Sequence, residues 1–346
     1  MLEIIYLCNI SYLYTLFIFN FPLSMEPIID PIDKHLLEAE LNESTFLRNT
    51  NNGHNKIFVF TAHESPNLMR EVGRLREITF RDAGGGTGKS VDIDEFDMME
   101  VPFQQLIVWD PVEKEISGGY RFIHGRDIPC DHGGCVHSAT AELFKFSDKF
   151  IRDYLPLSIE LGRSFVQPNY QPLVNFRKGM YSLDNLWDGL GAMIIENPDV
   201  KYFFGKMTMY PEYNRMARDI VLFFLRKYFP DTETLMLPVE PVVPETPDSV
   251  INELFSFRTY EENYKLLVQE VRHHGEHVPP LVNAYMNLSP TMRTFGTAIN
   301  RGFGDVEETG ILIHIEDIYP RKKERHLKTY IQRLSSIKGL HWRRRK

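Results

Sequence analysis

"LSIELGRSFVQP", Leu157–Pro168, reads as a β-strand, and the elements after it set the fold class. "YSLDNLWDGLGAMIIEN" (Tyr181–Asn197) reads as a helix with Ser182 as its candidate N-cap. "VKYFFGKMTM" (Val200–Met209) is again a strand, and "EYNRMARDIVLFFLRKYFP" (Glu212–Pro230) again a helix. Strands interleaved with helices point to the α/β (α+β) class, a mixed central sheet covered by helices.

Upstream, "QQLIVWDPVEKEISGGYRFIHG" predicts a hairpin turning at Asp110–Lys114. Before it, "SPNLMREVGRLREITFRD" repeats Leu68, Met69, Val72, Leu75 and Ile78 at helical spacing, and "KIFVFTA" is a short strand after the polar stretch Asn49 to Asn55. Downstream, the Pro-rich "PVEPVVPETPDS" separates a predicted long helix, Val250 to His274, and a helical and strand extension from "PPLVNAYMNLSP" to "ILIHIEDI". The division is then an N-terminal extension (1–55), a central domain (56–237), a C-terminal extension completing it (238–320) and a tail (321–346). No internal repeat is visible.

"DAGGGTGKS", Asp82–Ser90, resembles a phosphate-binding P-loop with Ala83 in place of the first Gly. Such a loop works because it follows a strand and opens a helix, so that free N–H groups and the helix dipole converge on phosphates. Here the flanks run the other way, a helix before and an acidic loop, "VDIDEFD", after. The stretch reads as a Gly-rich surface loop, with nucleotide binding as the alternative.

With 346 residues, 43% hydrophobic and 25% charged, the chain has material for a large core. Three cysteines, Cys8, Cys130 and Cys135, are too few for a disulfide framework and suit a reducing compartment, the cytoplasm. "CDHGGCVH" sets Cys130, His132, Cys135 and His137 close together, but structural metal sites draw ligands from separated elements; it reads as a solvated loop, with no metal expected. From Arg321 to Lys346 there are 11 Lys or Arg and one Glu, so the tail carries +10 and, the chain being −8 overall, the rest carries −18. Leu327, Tyr330, Ile331, Leu334 and Ile337 share a helical face among those cations. Two readings stand: a basic amphipathic helix at an anionic membrane surface, through 325–346, or a helix packed on the body. Residues 4–22 are apolar but interrupted by Asn9, Ser11, Thr15 and Asn20. They read as part of an over-extended start before Met25, or as a marginal membrane anchor.

The polar residues at the ends of these elements form an ordered series: Arg76-x3-Phe80, Asp94-x2-Asp97, Arg121, and Glu160-x2-Arg163 in "ELGRSFV". The series resembles that of acyl-homoserine-lactone synthases and of the related GNAT-fold N-acyltransferases of the ornithine-lipid and glycine-lipid (hemolysin-like) family. The resemblance spans about Phe58 to Ile318, including "VPPLVNAYMNLSP" and "GFGDVEETGILIHI", which are similar to the C-terminal segment of the larger lipid-forming members. Two departures are informative. The aromatic residue of the autoinducer synthases shortly after Phe80 is replaced by "GGGTG". After Val166 there is no R/Q-x-x-G-x-G/A pyrophosphate loop of the acetyl-CoA-using relatives. The second departure favours acyl carrier protein as donor, because its phosphopantetheine arm carries no adenosine diphosphate.

The resemblance implies transfer of a long, 3-hydroxy acyl chain from acyl carrier protein to the α-amine of an amino acid, glycine before ornithine, with no permanently bound cofactor and no nucleic acid. Glu160 is then the general base, directly or through water, and Arg163 its orienting partner. Arg76 and Arg121, with Phe80, receive the acceptor, since Arg offers paired donors that match a carboxylate; Asp94 and Asp97 order the loop or position the arginines. The oxyanion falls to a backbone N–H where the "GRSFV" strand leaves its neighbour. Val166, Arg177, Lys178 and Ser182 face the acyl donor, Arg177 and Lys178 meeting its phosphate near a helix start, though a plain surface loop reads equally well. The protein is expected in the cytoplasm or as a peripheral protein at the inner face of the membrane. The other classes in view are an acyl-CoA-dependent acetyltransferase, a P-loop protein and a membrane-active hemolysin-like protein.

Overall fold

The computed structural model describes residues 25–130, 136–171 and 174–343, with side chains described as far as 332. The apolar segment 4–22, with Cys8, and His132 and Cys135 lie outside the described residues.

Among the described residues eight strands, numbered in chain order, form one mixed sheet. In space they run β1 (Phe46–Asn49), β2 (Lys56–Phe60), β3 (Gln104–Asp110), β4 (Glu115–His124), β6 (Ser158–Val166), β7 (Tyr202–Met209), β10 (Val306–His314) and β9 (Arg293–Asn300). A second, two-stranded sheet joins β5 (Phe144–Phe146) to β8 (Met236–Pro238). Within the large sheet β6 and β7 run parallel and the other neighbours antiparallel. The helices are α1 (Lys34–Glu40), α2 (Pro66–Asp82), α3 (Glu95–Met98), α4 (Phe176–Gly179), α5 (Ser182–Glu196), α6 (Arg215–Tyr228), α7 (Asp248–Leu254), α8 (Tyr260–His273), α9 (Pro280–Met286) and α10 (Pro320–Arg343). This is the mixed sheet flanked by helices that the alternation of elements predicts.

Period-two alternation distributes the core between the two faces. On β3, Leu106 and Val108 join Tyr120 and Phe122 of β4 beneath Leu186 and Leu190 of α5 and Ile220 and Phe224 of α6. Ile107 and Trp109, between them, pack with Leu68, Val72 and Leu75 of α2 on the opposite face. Neither the edge strand β1 nor α1 is legible in the sequence. The Pro-rich segment is not a free linker, because it runs along β9, with the Val242 N–H donating to Thr297 O at 2.8 Å and the Ile299 N–H to Glu240 O at 3.0 Å.

Two local expectations need correction. The predicted helix from Val250 to His274 is two helices, because Thr259 and Glu262 form a capping box that starts α8 afresh. Ser182 is the first helical residue of α5 and not its N-cap; its hydroxyl donates backwards to Tyr170 O at 2.9 Å and Lys178 O at 3.3 Å. The C-terminal helix α10 agrees with one of its two readings, packing on the body: the buried His326 lies 2.8 Å from Asp188 Oδ1 of α5, and the Tyr330 hydroxyl donates to Glu196 at 2.6 Å. Leu327 is partly covered and Ile331 is exposed. Among the described residues no helix is long and apolar enough to cross a membrane.

The glycine loop follows α2, and no strand precedes it. Gly84, Gly86 and Gly88 take φ of 89°, 97° and 75°, turning the chain so that the N–H groups of Thr87 and Gly88 donate to the Glu77 carboxylate at 3.1 and 2.8 Å. The donors that would cradle a phosphate are thus spent on a fully buried side chain of the same chain, while Lys89 is exposed.

The sheet's central feature is an opening. β6 and β7 pair only from Ser158/Tyr202 to Leu161/Gly205, after which β6 continues against β4 and β7 against β10. β6 bends there because it carries one extra residue: Gly119 faces Phe165 while Arg121 faces Gly162, and Arg163 takes the left-handed φ of 49°, a β-bulge. At the last rung, a Cβ on Gly205 would lie 2.3 Å from Leu161 O. Gly205→Ala is therefore expected to cost about 1–3 kcal/mol through overpacking, read as a lower urea midpoint at unchanged m. An unchanged midpoint would mean that the strands part there without cost.

Candidate active site

The opening leads into a cavity of about 570 Å³ that reaches both faces of the sheet. Glu160 pairs with Phe204 across the parallel strands, so Glu160, Phe204 and, two residues on, Lys206 share one face, while Leu161 and Phe203 turn to the other. On the first face the wall carries Arg121, Thr140, Glu160, Arg163, Lys206 and Glu308; on the second it is apolar, with Leu161, Trp187, Leu190, Tyr285, Ile311 and Ile313 among its residues. A charged chamber and an apolar chamber thus communicate through the gap between β6 and β7.

Glu160 is 1% exposed. One carboxylate oxygen accepts the Thr140 N–H at 2.7 Å; the other is buried and has no hydrogen-bond partner among the described residues. Burial raises its pKa above the ordinary 4.5, outweighing the hydrogen bonds from Thr140 and the nearby Lys206 ammonium. A carboxylate with a free oxygen and a raised pKa at a cavity wall has the properties of a proton acceptor.

Behind it lies a buried network of arginines and aspartates. Arg76, 0% exposed, meets Asp97 at 3.2 Å and also donates to Gln105. Arg121 Nη1 lies 2.6 Å from Asp94 and 3.2 Å from Asp97, and its Nε is buried without a partner among the described residues. Asp94 caps α3 by accepting from the N–H groups of Phe96 and Asp97, in a capping box whose other half is the Asp97 side chain. Burial works to raise the Asp94 pKa, but Arg121 and Arg163 hold it well below the usual carboxylate range. Burial likewise works against the Arg121 charge, and Asp97 and Asp94 outweigh it.

Two expected roles change. Arg163 does not orient Glu160: its Nε is 3.0 Å from the buried Asp92, and its guanidinium stacks 4.1 Å over the Phe303 ring. Asp92, unremarked in the sequence, is its counter-ion. Arg76 is not on the cavity wall, because Asp97 and Gln105 engage it inside the protein. Phe80 does reach the wall, edge-on to Phe303 at 5.1 Å between centroids. Val166, Arg177, Lys178 and Ser182 do not line the cavity; Lys178 is 3.3 Å from Glu113, and Leu183, one residue into α5, is the nearest residue of that region on the wall.

Sequence reasoning missed Lys206 and Glu308. Lys206 Nζ donates to Ala139 O at 2.5 Å and lies 3.4 Å from Glu308. Burial works to raise the Glu308 pKa, but Lys206 and Arg163 hold it below its ordinary value. The available signal was the appearance of charges inside otherwise apolar strands, in "YFFGKMTM" and "VEETGILIH". Among the described residues no group of three metal-ligating side chains occurs; Cys130 is exposed, and His137 lies against the Phe96 ring.

Residues 75–176 match the acetyltransferase (GNAT) domain family. The chain is 56% identical over 308 residues to a glycine N(alpha)-acyltransferase of Bacteroides thetaiotaomicron, covering 89% of this chain and 91% of that protein. It is 54% identical over 308 residues to a glycine N(alpha)-acyltransferase of Phocaeicola vulgatus, covering 89% and 94%. No solved structure matches the chain. The chain belongs to this family of GNAT N-acyltransferases.

The raised pKa of Glu160 has a consequence for stability. Above the ordinary 4.5, and up to the raised value, the folded protein holds a proton that the unfolded chain releases, so folding stability falls as pH rises through that window. Glu160→Gln removes this contribution, so its stability relative to the parent should grow with pH by about 1.4 kcal/mol per pH unit within the window and then level off. Urea unfolding of both proteins across a pH series measures the difference, from which the other buried carboxyls cancel. A difference independent of pH would show that Glu160 titrates as an ordinary carboxyl.

Proposed function

We propose that this protein transfers a long 3-hydroxyacyl chain from the phosphopantetheine thioester of acyl carrier protein to the α-amine of glycine, in the synthesis of an amino-acid lipid. The observation that carries the reading is the unpartnered, buried carboxylate oxygen of Glu160 on the wall of a cavity that joins a charged chamber to an apolar one. Glycine as acceptor is supported by the names of the two relatives, with ornithine as the second candidate.

In this reading the acyl chain occupies the apolar chamber, and its thioester carbonyl lies in the gap past Leu161 and Gly205. Glu160 removes a proton from the glycine ammonium, directly or through a water molecule, and the neutral amine attacks the carbonyl carbon. Backbone N–H groups of β6 beyond Leu161, released from β7 by the splay, are the candidate donors to the oxyanion. Collapse forms the amide and expels the pantetheine thiolate, which takes up the proton held by Glu160; the nitrogen gives its second proton to the freed carboxylate, which releases it to solvent, one proton per turnover. Arg163, Asp94 and Asp97 then act as positioning residues for this wall, and Phe80 borders the acceptor chamber. The donor arm is proposed to enter past Leu183, with Arg177, Lys178, Ser182 and Val166 as candidate contacts outside the cavity wall. Acyl-CoA is the alternative donor.

Two experiments test this. Glu160→Gln keeps the shape of the side chain but cannot take the proton, so transfer at neutral pH should fall roughly 10²–10⁴-fold and recover in part at higher pH, where more of the amine is neutral. The assay is mass spectrometry of products from acyl carrier protein thioester or acyl-CoA offered with glycine or ornithine; a parental rate in the folded variant would make Glu160 structural. The second concerns the membrane. Since His326 and Tyr330 anchor α10 to α5, truncation after Gln332 leaves those contacts and removes six Lys or Arg. With each basic residue near an anionic surface adding on the order of 1 kcal/mol, the truncated protein should bind anionic vesicles more weakly at unchanged transfer rate; unchanged co-sedimentation would rule residues 333–346 out as a membrane contact.

A further inference from the structure

We infer that the acceptor's carboxylate is seated over Gly162, between the Lys206 ammonium and the unpartnered Nε–H of Arg121, beside Glu160. The inference rests on the acyl-transfer reading and names the part of the cavity that selects the acceptor.

The seat follows from register. On β4, Arg121 stands opposite Gly162 of β6, and Gly162 is the first residue of β6 beyond the last rung that β6 shares with β7. On β7 the residue just past that rung is Lys206. The face carrying Glu160 therefore has a cation on each side of a position that has no side chain. A Cβ on Gly162 would find nothing nearer than Arg121 Nε at 3.7 Å and Arg121 Cγ at 3.8 Å, so the floor is open, and Arg121, Glu160, Gly162 and Lys206 all line the same cavity.

The donors are in place for an anion. Arg121 is 1% exposed; Asp94 and Asp97 hold its Nη1, leaving the buried Nε–H without a partner among the described residues. Lys206 carries three N–H groups; one donates to Ala139 O, another is 3.4 Å from Glu308, and the third is left for a ligand. Arg163 is committed to Asp92 and Phe303, and Arg76 is sealed behind Asp97 and Gln105. Lys206 and Arg121 thus both bring unused N–H groups to the same part of the charged chamber. An amino acid whose carboxylate lies here has its ammonium one carbon beyond, next to the free oxygen of Glu160. The carboxylate holds the acceptor in register with the base.

The test compares glycine with glycinamide, which has the same shape and no negative charge, in kcat/KM per neutral amine. The parent should prefer glycine by roughly 10²-fold, the scale of a pair of charge-assisted hydrogen bonds. Lys206→Met should bring that preference to within a few-fold by raising KM for glycine while KM for the acyl donor stays put. Lys206→Arg should keep most of the preference, and Gly162→Ala, which fills the floor, should raise KM for glycine about tenfold with the fold intact. Lys206→Met leaves Glu308 buried without its cation, so Lys206→Met combined with Glu308→Gln is the companion variant if the single change unfolds the protein. Retention of the parental preference in a folded Lys206→Met or in the companion, or its absence in the parent, overturns the seat. A parent that acylates no amino acid overturns the acyl-transfer reading itself, and the seat with it.

Discussion

The structure turns on the parting of β6 and β7 after Leu161 and Gly205. Two parallel neighbours in the middle of a sheet ordinarily stay paired, because every rung abandoned leaves backbone donors and acceptors to be satisfied elsewhere. Here both strands keep their outer partners, β4 and β10, so each loses pairing on one side only. The bulge at Arg163 turns β6 aside, and it requires a left-handed backbone at a residue that is not glycine, a conformation that costs of order 1–3 kcal/mol. The Arg163 side chain offsets that strain locally, since its ion pair with Asp92 and its stacking on Phe303 are available only from this backbone position. Phe303 in turn belongs to the β9–β10 connection, so the C-terminal extension helps hold the opening.

The buried charges belong to the same design. Removing one member of a buried ion pair leaves an uncompensated charge, at a typical cost of about 3–5 kcal/mol, whereas the intact pair contributes little net stability. Arg76, Arg121 and Arg163 against Asp92, Asp94 and Asp97 are therefore poor candidates for a stabilising core and good ones for a rigid frame. Each aspartate fixes one or two guanidiniums, and Asp94 and Asp97 also cap α3, so that the loop after α2 and the central strands are held to one another. The frame's product is a cavity wall on which one Arg121 nitrogen and one Glu160 oxygen remain available.

Much of this is legible in the sequence. The strands and helices from Gln104 to Tyr228 follow from periodicity and turn chemistry, and the ordered polar series brings Arg121, Glu160 and Phe80 to one cavity. The partner assignments are not legible. The resemblance pairs Glu160 with Arg163, whereas regular alternation would put residues three apart on opposite faces; the inserted residue in β6 brings Arg163 to the face of Glu160, where its partner is Asp92, 71 positions upstream. Lys206 and Glu308 come together only because β10 returns antiparallel beside β7, a long-range pairing that no local pattern encodes. The glycine loop shows the opposite case: a pattern that advertises an anion site holds an anion, but it is the chain's own Glu77.

The two-sided cavity bears on why such a frame is built into a sheet. An acyl chain and a zwitterionic amino acid make opposite demands on their surroundings, and a single pocket serving both would desolvate the charges or wet the chain. A sheet separates its two faces by the thickness of one backbone, and here that thickness is further reduced by Gly162 and Gly205 at the point where the strands part. The apolar side lies among α5, β7 and β10, the charged side within the arginine–aspartate frame, and contact between them is confined to the gap. Burial in the charged chamber also acts on proton transfer in a consistent direction. It raises the pKa of Glu160, and in the proposed transfer the same low dielectric disfavours the ammonium form of the acceptor, so that the proton's move from amine to carboxylate is eased from both ends. The gap in the sheet, the frame behind it and the basicity of Glu160 are in this sense one arrangement, and each depends on the others being in place.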